Sequence, residues 1–282
     1  MRLRFWGVRG SVPVPSRRMM RYGGNTACVE VTLDDGTEII LDAGTGIREL
    51  GAARSDDARR IQVLLTHLHL DHIQGLLFFP PLFDPANEIT VYGPPAPGPN
   101  LDQRLARYLS APLAPVDLHE LPAQVAFAAC PYEEWEVGSA RIRAAIVAHR
   151  GVTLGYRISE GDTSLCYLPD HEPALGTALA DADRGWISGM ALAADASLLV
   201  HDGQYDARGY SAHVGWGHSS VSDAVTFARR ADARQLILFH HDPTHDDSTL
   251  DRLGDQARDR WAQAGGDPDS VSVAAEGMTV TL

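Results

Sequence analysis

The sequence contains no lysine, and all 24 of its basic residues are arginines. This absence excludes catalysis through a lysine Schiff base and nucleotide binding through a P-loop lysine. Cysteine is scarce as well. Cys28, Cys130 and Cys166 are odd in number, widely spaced and free of any C-x-x-C pattern. They favour buried thiols in a reducing compartment over a disulfide framework.

Long hydrophobic runs and excess positive charge are also missing. No stretch approaches the roughly 18 apolar residues of a membrane span, and the N-terminus lacks the apolar segment of a secretion signal, so we expect a cytoplasmic protein. The formal net charge of −13 argues against binding of large nucleic acids through a basic face. It leaves room for a small phosphodiester, because bound metal ions can dominate the field in a pocket.

The chain alternates strand-like and helical segments, and 44% of its 282 residues are hydrophobic, enough for a sizeable core. No low-complexity linker divides it, so residues 1–282 are predicted to form a single domain. Two strand-rich halves with interspersed helices predict an α/β fold, a four-layer αββα sandwich. The predicted strands are 3–6, 27–33, 38–42, 61–65, 89–92, 140–148, 153–158, 164–168, 197–201 and 235–239, with a hairpin turn at 34–37. Helices are predicted at 44–50, 75–79, 101–109, 221–230 and 249–264.

Residues 66–72, with the sequence THLHLDH, are the most informative segment of the chain. They place His67, His69, Asp71 and His72 directly after the apolar run 61–65. Neutral imidazole and carboxylate are ligands that divalent zinc, manganese and iron accept. A strand that ends in such a cluster predicts an open metal site, against the alternative of a polar turn in which histidines happen to accumulate.

Five further residues each follow a predicted strand or precede a predicted helix. They are His149, Asp170, Asp202, His218 and His240. Side chains at strand ends are held rigidly and remain accessible, as preorganised ligands must be. These positions therefore extend the predicted metal site.

The order H-x-H-x-D-H, a later His, an Asp, the sequence GHSS at 217–220 and a final strand-end His resembles the metallo-β-lactamase superfamily. Within it, the chain is most similar to the phosphodiesterase branch that includes ribonuclease Z and the phosphonate-pathway cyclic phosphodiesterase. The segments FWGVRGS at 5–11 and RYGGNT at 21–26 also look like hydrolases of this branch. The resemblance covers essentially the whole chain.

The resemblance implies two divalent metal ions, with zinc as the first expectation and manganese or iron as alternatives. One ion would be held by His67, His69 and His149, and the other by Asp71, His72 and His240, with Asp170 bridging them. His241 is a rival for His240, which we prefer because it directly follows the last apolar position of its strand. Asp42 matches the buried Asp of the family's first motif and would orient a ligand imidazole or its loop.

The same resemblance assigns catalytic roles. His218 would contact the phosphoryl group and protonate the leaving oxygen, and Asp202 would raise the pKa of that imidazole. Asp71 is expected to take part in catalysis as well as in metal binding. Ser219 and Ser220 are expected to bind substrate, and Ser220 keeps the hydroxyl of the Thr that the family has there.

These observations favour metal-dependent hydrolysis of a small phosphodiester, such as a cyclic nucleotide or cyclic phosphate. The alternatives are hydrolysis of a lactone or thioester at the same site, endonucleolytic processing of tRNA 3′ ends, and a sensor that binds a nucleotide without cleaving it. Processing of tRNA ranks low because residues 93–121, the candidate for a protruding tRNA-binding arm, contain two arginines against three acidic residues. A homodimer is a further expectation from the family.

Overall fold

The computed structural model describes residues 1–54, 59–131 and 133–282. Their strands are β1 (Arg2–Gly7), β2 (Cys28–Thr32), β3 (Glu38–Leu41), β4 (Arg60–Leu64), β5 (Glu88–Gly93), β6 (Gln124–Ala129), β7 (Trp135–Val137), β8 (Ala140–Ile146), β9 (Leu154–Glu160), β10 (Thr163–Leu168), β11 (Leu198–Asp202), β12 (Leu236–Phe239), β13 (Val271–Val273) and β14 (Thr279–Thr281). The helices are α1 (Gly46–Ala52), α2 (Leu70–Ile73), α3 (Leu101–Leu105), α4 (Met190–Ala193), α5 (Ala207–Ala212), α6 (Val221–Arg230) and α7 (Asp247–Gln263). Short 3₁₀ turns connect several of them.

The strands form two seven-stranded sheets with the orders β14-β1-β2-β3-β4-β5-β6 and β13-β12-β11-β10-β9-β8-β7. In the first sheet β3 to β6 run parallel, and in the second sheet β10 to β13 run parallel. The remaining neighbours are antiparallel, including the predicted hairpin of β2 and β3. Each sheet therefore has one parallel half, whose carboxyl ends can present side chains together.

Three apolar layers hold the sheets and helices together. The layer between the sheets includes Phe5, Tyr167 and Phe239. The outer face of the first sheet is covered by a second cluster containing Ile47 of α1, and that of the second sheet by a third cluster containing Trp261 of α7. Complete burial of such side chains stabilises the fold by about 1.5–3 kcal/mol each. The predicted four-layer αββα sandwich is confirmed.

The strands that the sequence did not predict are β6, β7, β13 and β14, which form the four sheet edges. Edge strands are short and partly solvated, so they lack the apolar runs that mark central strands. The alternating exposure of β14 and the three-residue length of β7 illustrate this. The predicted helix at 101–109 is also shorter, because α3 ends at Leu105.

Residues 93–121, the candidate arm, are anchored on the first sheet at four positions. Leu101, Leu105, Leu109 and Leu118 are buried in the apolar cluster on the outer face of the first sheet. In the sequence alone, the spacing of these four leucines would equally suit an amphipathic arm that projects from the domain. Burial of their side chains holds the segment down on the sheet.

The structure also bears on the expected free cysteines and on the expected absence of a membrane span. Cys28, Cys130 and Cys166 are buried and free, as their spacing predicted. Among residues 1–54, 59–131 and 133–282, no helix has both the length and the apolar character that crossing a bilayer requires.

Candidate metal centre

The first four predicted ligands lie where β4 ends and the chain enters α2. After Leu64 the backbone turns, and His69 occupies the N-cap of α2 with an extended conformation. The following helical turn directs Asp71 and His72 to the same side. The side chains of His67, Asp71 and His72 are buried, whereas His69 is exposed on the rim.

The other three predicted ligands come from the second sheet. His149 follows β8, Asp170 follows β10 and His240 follows β12. His240 has a φ of 58°, in the left-handed region. A Cβ at Gly10 would overlap the His240 ring, so the glycine makes room for this imidazole. The cluster is thus assembled across the two sheets.

His67, His69 and His149 form one group of side chains whose ligand atoms lie within 4.8 Å of one another. The Nε2 of His149 lies 3.3 Å from Nδ1 of His69. Asp71, His72 and His240 form a second such group. Here Nε2 of His240 lies 3.3 Å from Nε2 of His72 and 3.2 Å from Oδ2 of Asp71.

Asp170 lies between the two groups and is 1% exposed. Its Oδ1 is 3.8 Å from Nε2 of His67 and 3.6 Å from Nε2 of His149, both in the first group. The same oxygen is 3.3 Å from Nε2 of His240, and Oδ2 is 3.1 Å from Nε2 of His72, both in the second group. Its carboxylate therefore faces both groups at once.

The donor set fits divalent cations. Burial lowers the pKa of His67, His69 and His149, which keeps these imidazoles neutral and able to coordinate. Among the residues that the structure describes, the buried Nε2 of His67 has no hydrogen-bond partner. Such unpaired atoms are costly in a protein interior unless something else binds them. The buried His and Asp clusters are consistent with a dinuclear metal site.

The potential in this centre is strongly negative. Burial alone would lower the pKa of His72, but the carboxylates of Asp170, Asp42 and Asp71 outweigh it and raise that pKa well above its usual value. Three carboxylates around one imidazole favour positive charge at this position. A bound divalent cation would supply that charge, so His72 would not need to carry a proton.

Asp42 lies behind His72, as the sequence suggested. Its Oδ2 is 2.9 Å from Nδ1 of His72, and it accepts a hydrogen bond from the Tyr167 hydroxyl at 3.0 Å. Its Oδ1 accepts from the backbone N of Thr66 at 2.8 Å, which fixes the start of the ligand loop. Asp42 has a φ of 60°, a conformation that Asp and Asn tolerate better than other non-glycine residues.

We predict that Asp42→Asn lowers the affinity for metal by about 10–100-fold. Asn retains the side-chain shape and suits the left-handed backbone, but it removes the charge that orients His72. Chelator competition with purified protein measures the loss. Tyr167→Phe, which removes one hydrogen bond to Asp42 and leaves its charge, should change the affinity far less. Equal affinities in the parent and Asp42→Asn would exclude the orienting role.

Several groups that orient the predicted ligands were not found by sequence reasoning. Gln204 accepts from Nδ1 of His240 through Oε1 at 2.9 Å, and the carbonyl of Gly217 accepts from Nδ1 of His149 at 2.7 Å. The backbone N of Ser11 donates to Asp71 at 2.7 Å. The nearest signal for Ser11 was the family-like segment 5–11, whereas nothing local marked Gln204.

His241 lies outside the cluster. Its Nε2 is 2.8 Å from the carbonyl of Ala274, and the residue is 1% exposed. Of the two adjacent histidines, the structure therefore brings His240 to the other predicted ligands.

His218 lies beside the cluster and is paired with Asp202. Its Nδ1 is 2.7 Å from Oδ2 of Asp202 and 4.0 Å from Oδ1 of Asp170. Asp202 also accepts from the backbone N of Gln204 at 3.0 Å and of Ser219 at 3.2 Å. Burial opposes protonation of His218, but the charge and hydrogen bond of Asp202 outweigh it and raise the pKa of His218 to about 9.

Ser219 and Ser220 are buried, and their hydroxyls are engaged within the fold. Ser219 donates to the carbonyl of His171 at 2.6 Å, and Ser220 donates to Asp223 at 2.7 Å while capping α6. These contacts fix the backbone that carries His218. The substrate-binding role of the two serines stays a prediction that this geometry does not favour.

Residues 37–241 match the family model described as the beta-lactamase superfamily domain. Among curated proteins, the chain is 26% identical to ribonuclease Z of Haloferax volcanii, with 85% of this chain and 84% of that protein covered. It is 30% identical to ribonuclease Z of Mycobacterium sp. strain KMS, with 82% of this chain and 81% of that protein covered.

Solved structures have the same fold at low sequence identity. The metallo-beta-lactamase fold protein YhfI of Bacillus subtilis aligns with a TM-score of 0.70 at 17% identity, covering 99% of both chains. Zinc-bound PqqB of Methylobacterium extorquens aligns with a TM-score of 0.70 at 18% identity, covering 100% of both. A diphosphatase of the PhnP family aligns with a TM-score of 0.67 at 18% identity, covering 100% of this chain and 97% of that one.

Proposed function

Because this chain belongs to the metallo-β-lactamase superfamily and is a metal-dependent hydrolase of that superfamily, we propose that it hydrolyses phosphodiester bonds. The observation that carries this proposal is the buried pair of His218 and Asp202, joined at 2.7 Å beside the candidate metal centre. Cleavage of a phosphodiester expels an alkoxide, which a nearby proton donor stabilises.

In our proposal, one set of residues binds the metal ions and a single histidine donates a proton. His67, His69 and His149 would hold one ion, Asp71, His72 and His240 the other, and Asp170 would bridge them. Two divalent ions at such a site lower the pKa of a water nucleophile and neutralise charge on a phosphoryl group. Zinc remains our first expectation, supported by the zinc-bound structural neighbour PqqB.

His218 would donate its proton to the leaving oxygen. Because Nδ1 of His218 is bonded to Asp202, Nε2 is the nitrogen left to face the substrate. Asp202 is itself held by backbone N–H groups, so it orients the imidazole and favours its protonated form. Asp71 serves in this proposal as a ligand held by Ser11.

We predict that Asp202→Asn shifts the alkaline limb of the pH–rate profile to lower pH. An acid must be protonated to act, so activity falls as the pH rises through the pKa of His218. Removing the carboxylate removes the main cause that raises this pKa towards about 9. The measurement is kcat against pH for an alkyl phosphodiester. An alkaline limb that stays in place would contradict the pairing.

The relatives named ribonuclease Z favour processing of tRNA 3′ ends over the small phosphodiester that we ranked first from the sequence. They also keep nucleic acid among the candidate substrates, despite the net charge of −13. RNA cleavage at the same phosphodiester bond needs the same metal centre and the same proton donor. We therefore propose tRNA 3′-end processing as a candidate reaction beside the cleavage of a small phosphodiester.

Two observations support a small substrate. The segment proposed as an RNA-gripping arm, residues 93–121, is packed onto the first sheet through buried leucines. The formal net charge of −13 also opposes the phosphate contacts that dominate affinity for RNA. Both observations bear on how tightly a long RNA would bind, and neither affects the reaction expected at the metal centre.

A panel of substrates tests the proposal. Metal-loaded protein is assayed with bis-p-nitrophenyl phosphate, 2′,3′- and 3′,5′-cyclic nucleotides, a tRNA precursor with a 3′ trailer, and a set of lactones and thioesters. Cleavage of phosphodiesters supports the proposed reaction, and the tRNA precursor separates its two candidate substrates. Turnover of lactones or thioesters without any phosphodiester cleavage would overturn it.

A further inference from the structure

An exposed tryptophan stands at the end of a row of aromatic rings that begins at His218. The ring centroid of Tyr205 is 6.0 Å from that of His218, and His213 stacks on Tyr205 at 4.9 Å with an interplanar angle of 14°. Trp216 meets His213 edge-on at 4.8 Å and is 53% exposed. Tyr205, His213 and Trp216, here called the aromatic row, therefore connect the metal centre to the surface.

The loop that carries Trp216 is fixed in place. Glu172, which is fully buried, accepts hydrogen bonds from the backbone N of Gly215 at 2.8 Å and of Gly217 at 2.7 Å. Gly217 has a φ of 93°, and a Cβ there would overlap the ring of His149. The Nε of Arg150 donates to the carbonyl of Gly215 at 3.0 Å. These contacts tie the loop to His149, to Arg150 next to it, and to Glu172, two residues after Asp170.

The position of His213 in the row is also determined. Its Nδ1 lies 2.7 Å from the carbonyl of Gly209, which sets the orientation of the ring. Fixed rings with an exposed flat surface lose little conformational entropy when a planar ligand stacks on them. An exposed Trp on a mobile loop would lack this advantage.

Charge near the aromatic row matches a phosphorylated planar ligand. The guanidinium carbon of Arg150 lies 5.7 Å from the ring centroid of Trp216. Arg150 also directly follows the predicted ligand His149, so a positive charge lies beside the exposed ring on a residue next to the metal centre in sequence. A nucleobase joined to a phosphodiester presents the complementary pair of a flat π surface and a negative group.

We propose that Trp216 determines substrate specificity by stacking on a nucleobase next to the scissile phosphodiester, so that the substrate class is a nucleotide phosphodiester. This inference rests on the proposed phosphodiester hydrolysis and adds to it the chemical nature of the substrate. Tyr205 and His213 are positioning residues, since they support the Trp216 ring and contact no substrate in this arrangement. Stacking accepts any base, because every base has a π face.

Two esters with the same leaving group test the inference. Thymidine 5′-(p-nitrophenyl phosphate) carries a base, and ethyl p-nitrophenyl phosphate does not, while the bond cleaved is the same. Trp216→Ala should raise KM for the thymidine ester about tenfold and leave the ethyl ester unchanged. Trp216→Phe should restore much of the preference. Tyr108→Ala, which removes a half-exposed aromatic ring from the segment packed on the first sheet, should change neither KM.

Calorimetry gives a readout that does not depend on turnover. Thymidine 5′-phosphate should bind the Trp216→Ala protein about tenfold more weakly than the parent, with ethyl phosphate unaffected. Equal changes for the two ligands, or no change for either, would overturn the role of Trp216. If the parent protein cleaves neither ester, the proposed phosphodiester hydrolysis fails instead. Cleavage of both esters without any response to Trp216→Ala disproves only the stacking.

Discussion

Replacing Asp170 with asparagine should lower kcat for a phosphodiester by at least about 1000-fold, since two-metal catalysis contributes several kcal/mol to transition-state stabilisation. The carboxylate oxygens of Asp170 lie 3.1–3.8 Å from ring nitrogens of both candidate ligand groups. An amide has a similar shape but carries no charge. We expect the bound metal to fall from two ions per chain to one or fewer, as measured by elemental analysis of dialysed protein.

The cause of this effect is visible in the electrostatics of the buried site. Burial works to raise the pKa of Asp170, but the imidazoles of His240 and His72 outweigh it and hold that pKa well below its usual value. The carboxylate is therefore ionised, and its Oδ1 faces both ligand groups while its Oδ2 faces His72 of the second group. Removing its charge removes the link between the two groups.

A matched variant separates this effect from general damage. Asp259→Asn makes the same chemical change at an exposed position on α7 and should leave metal content and kcat as in the parent. Circular dichroism of Asp170→Asn establishes that the fold persists. If Asp170→Asn retained two ions per chain with full activity, the bridging role would be refuted.

The second large effect is expected for His218→Ala. General acids typically contribute about 10²–10⁴-fold to the rate, and the loss should reach this range for a substrate with an alkyl leaving group. With p-nitrophenolate as the leaving group, which departs without a proton, the variant should stay within about tenfold of the parent. This contrast between substrates identifies proton donation specifically.

Metal content decides between the two roles that geometry allows His218. The ligand atoms of His218, His149 and Asp170 lie within 4.8 Å of one another, and so do those of His218, Asp202 and His240. Either group is compact enough to hold a metal ion. As a proton donor it should be dispensable for metal binding, so His218→Ala should retain two ions per chain. His119→Ala serves as the control, because His119 is exposed and belongs to neither ligand group. Loss of metal from His218→Ala alone would make this residue a ligand.

Residues 67–72 were predicted as ligands from their own composition, whereas the assignment of His149, Asp170 and His240 to the same centre came from the resemblance to the family. Residues 67–72 contain three histidines and one aspartate in one short segment, and Asp170 and His240 each follow an apolar strand. Their mutual distances have no local signal. His72 and His240 are separated by 168 positions, yet their ring nitrogens lie 3.3 Å apart because the strands of two sheets end side by side.

The remainder of the site depends on tertiary contacts. Gln204 and Glu172 are ordinary polar residues in the sequence, and their roles follow only from what the fold places opposite them. The packing of residues 93–121 on the first sheet has the same origin, since whether their leucines are covered depends on the sheet beneath. The missed edge strands are likewise defined by a single neighbour each.

The origin of the ligands from two sheets has a consequence for the order in which the site matures. A chain is made from its N-terminus, so residues 67–72 leave the ribosome well before β12 and His240 exist. Until then the segment would offer a divalent cation only an incomplete set of imidazole and carboxylate ligands. In our proposal, His149, Asp170 and His240 complete the two sites only when the second sheet docks. Bound ions would then link the two sheets, and metal affinity would become part of the free energy that resists their separation.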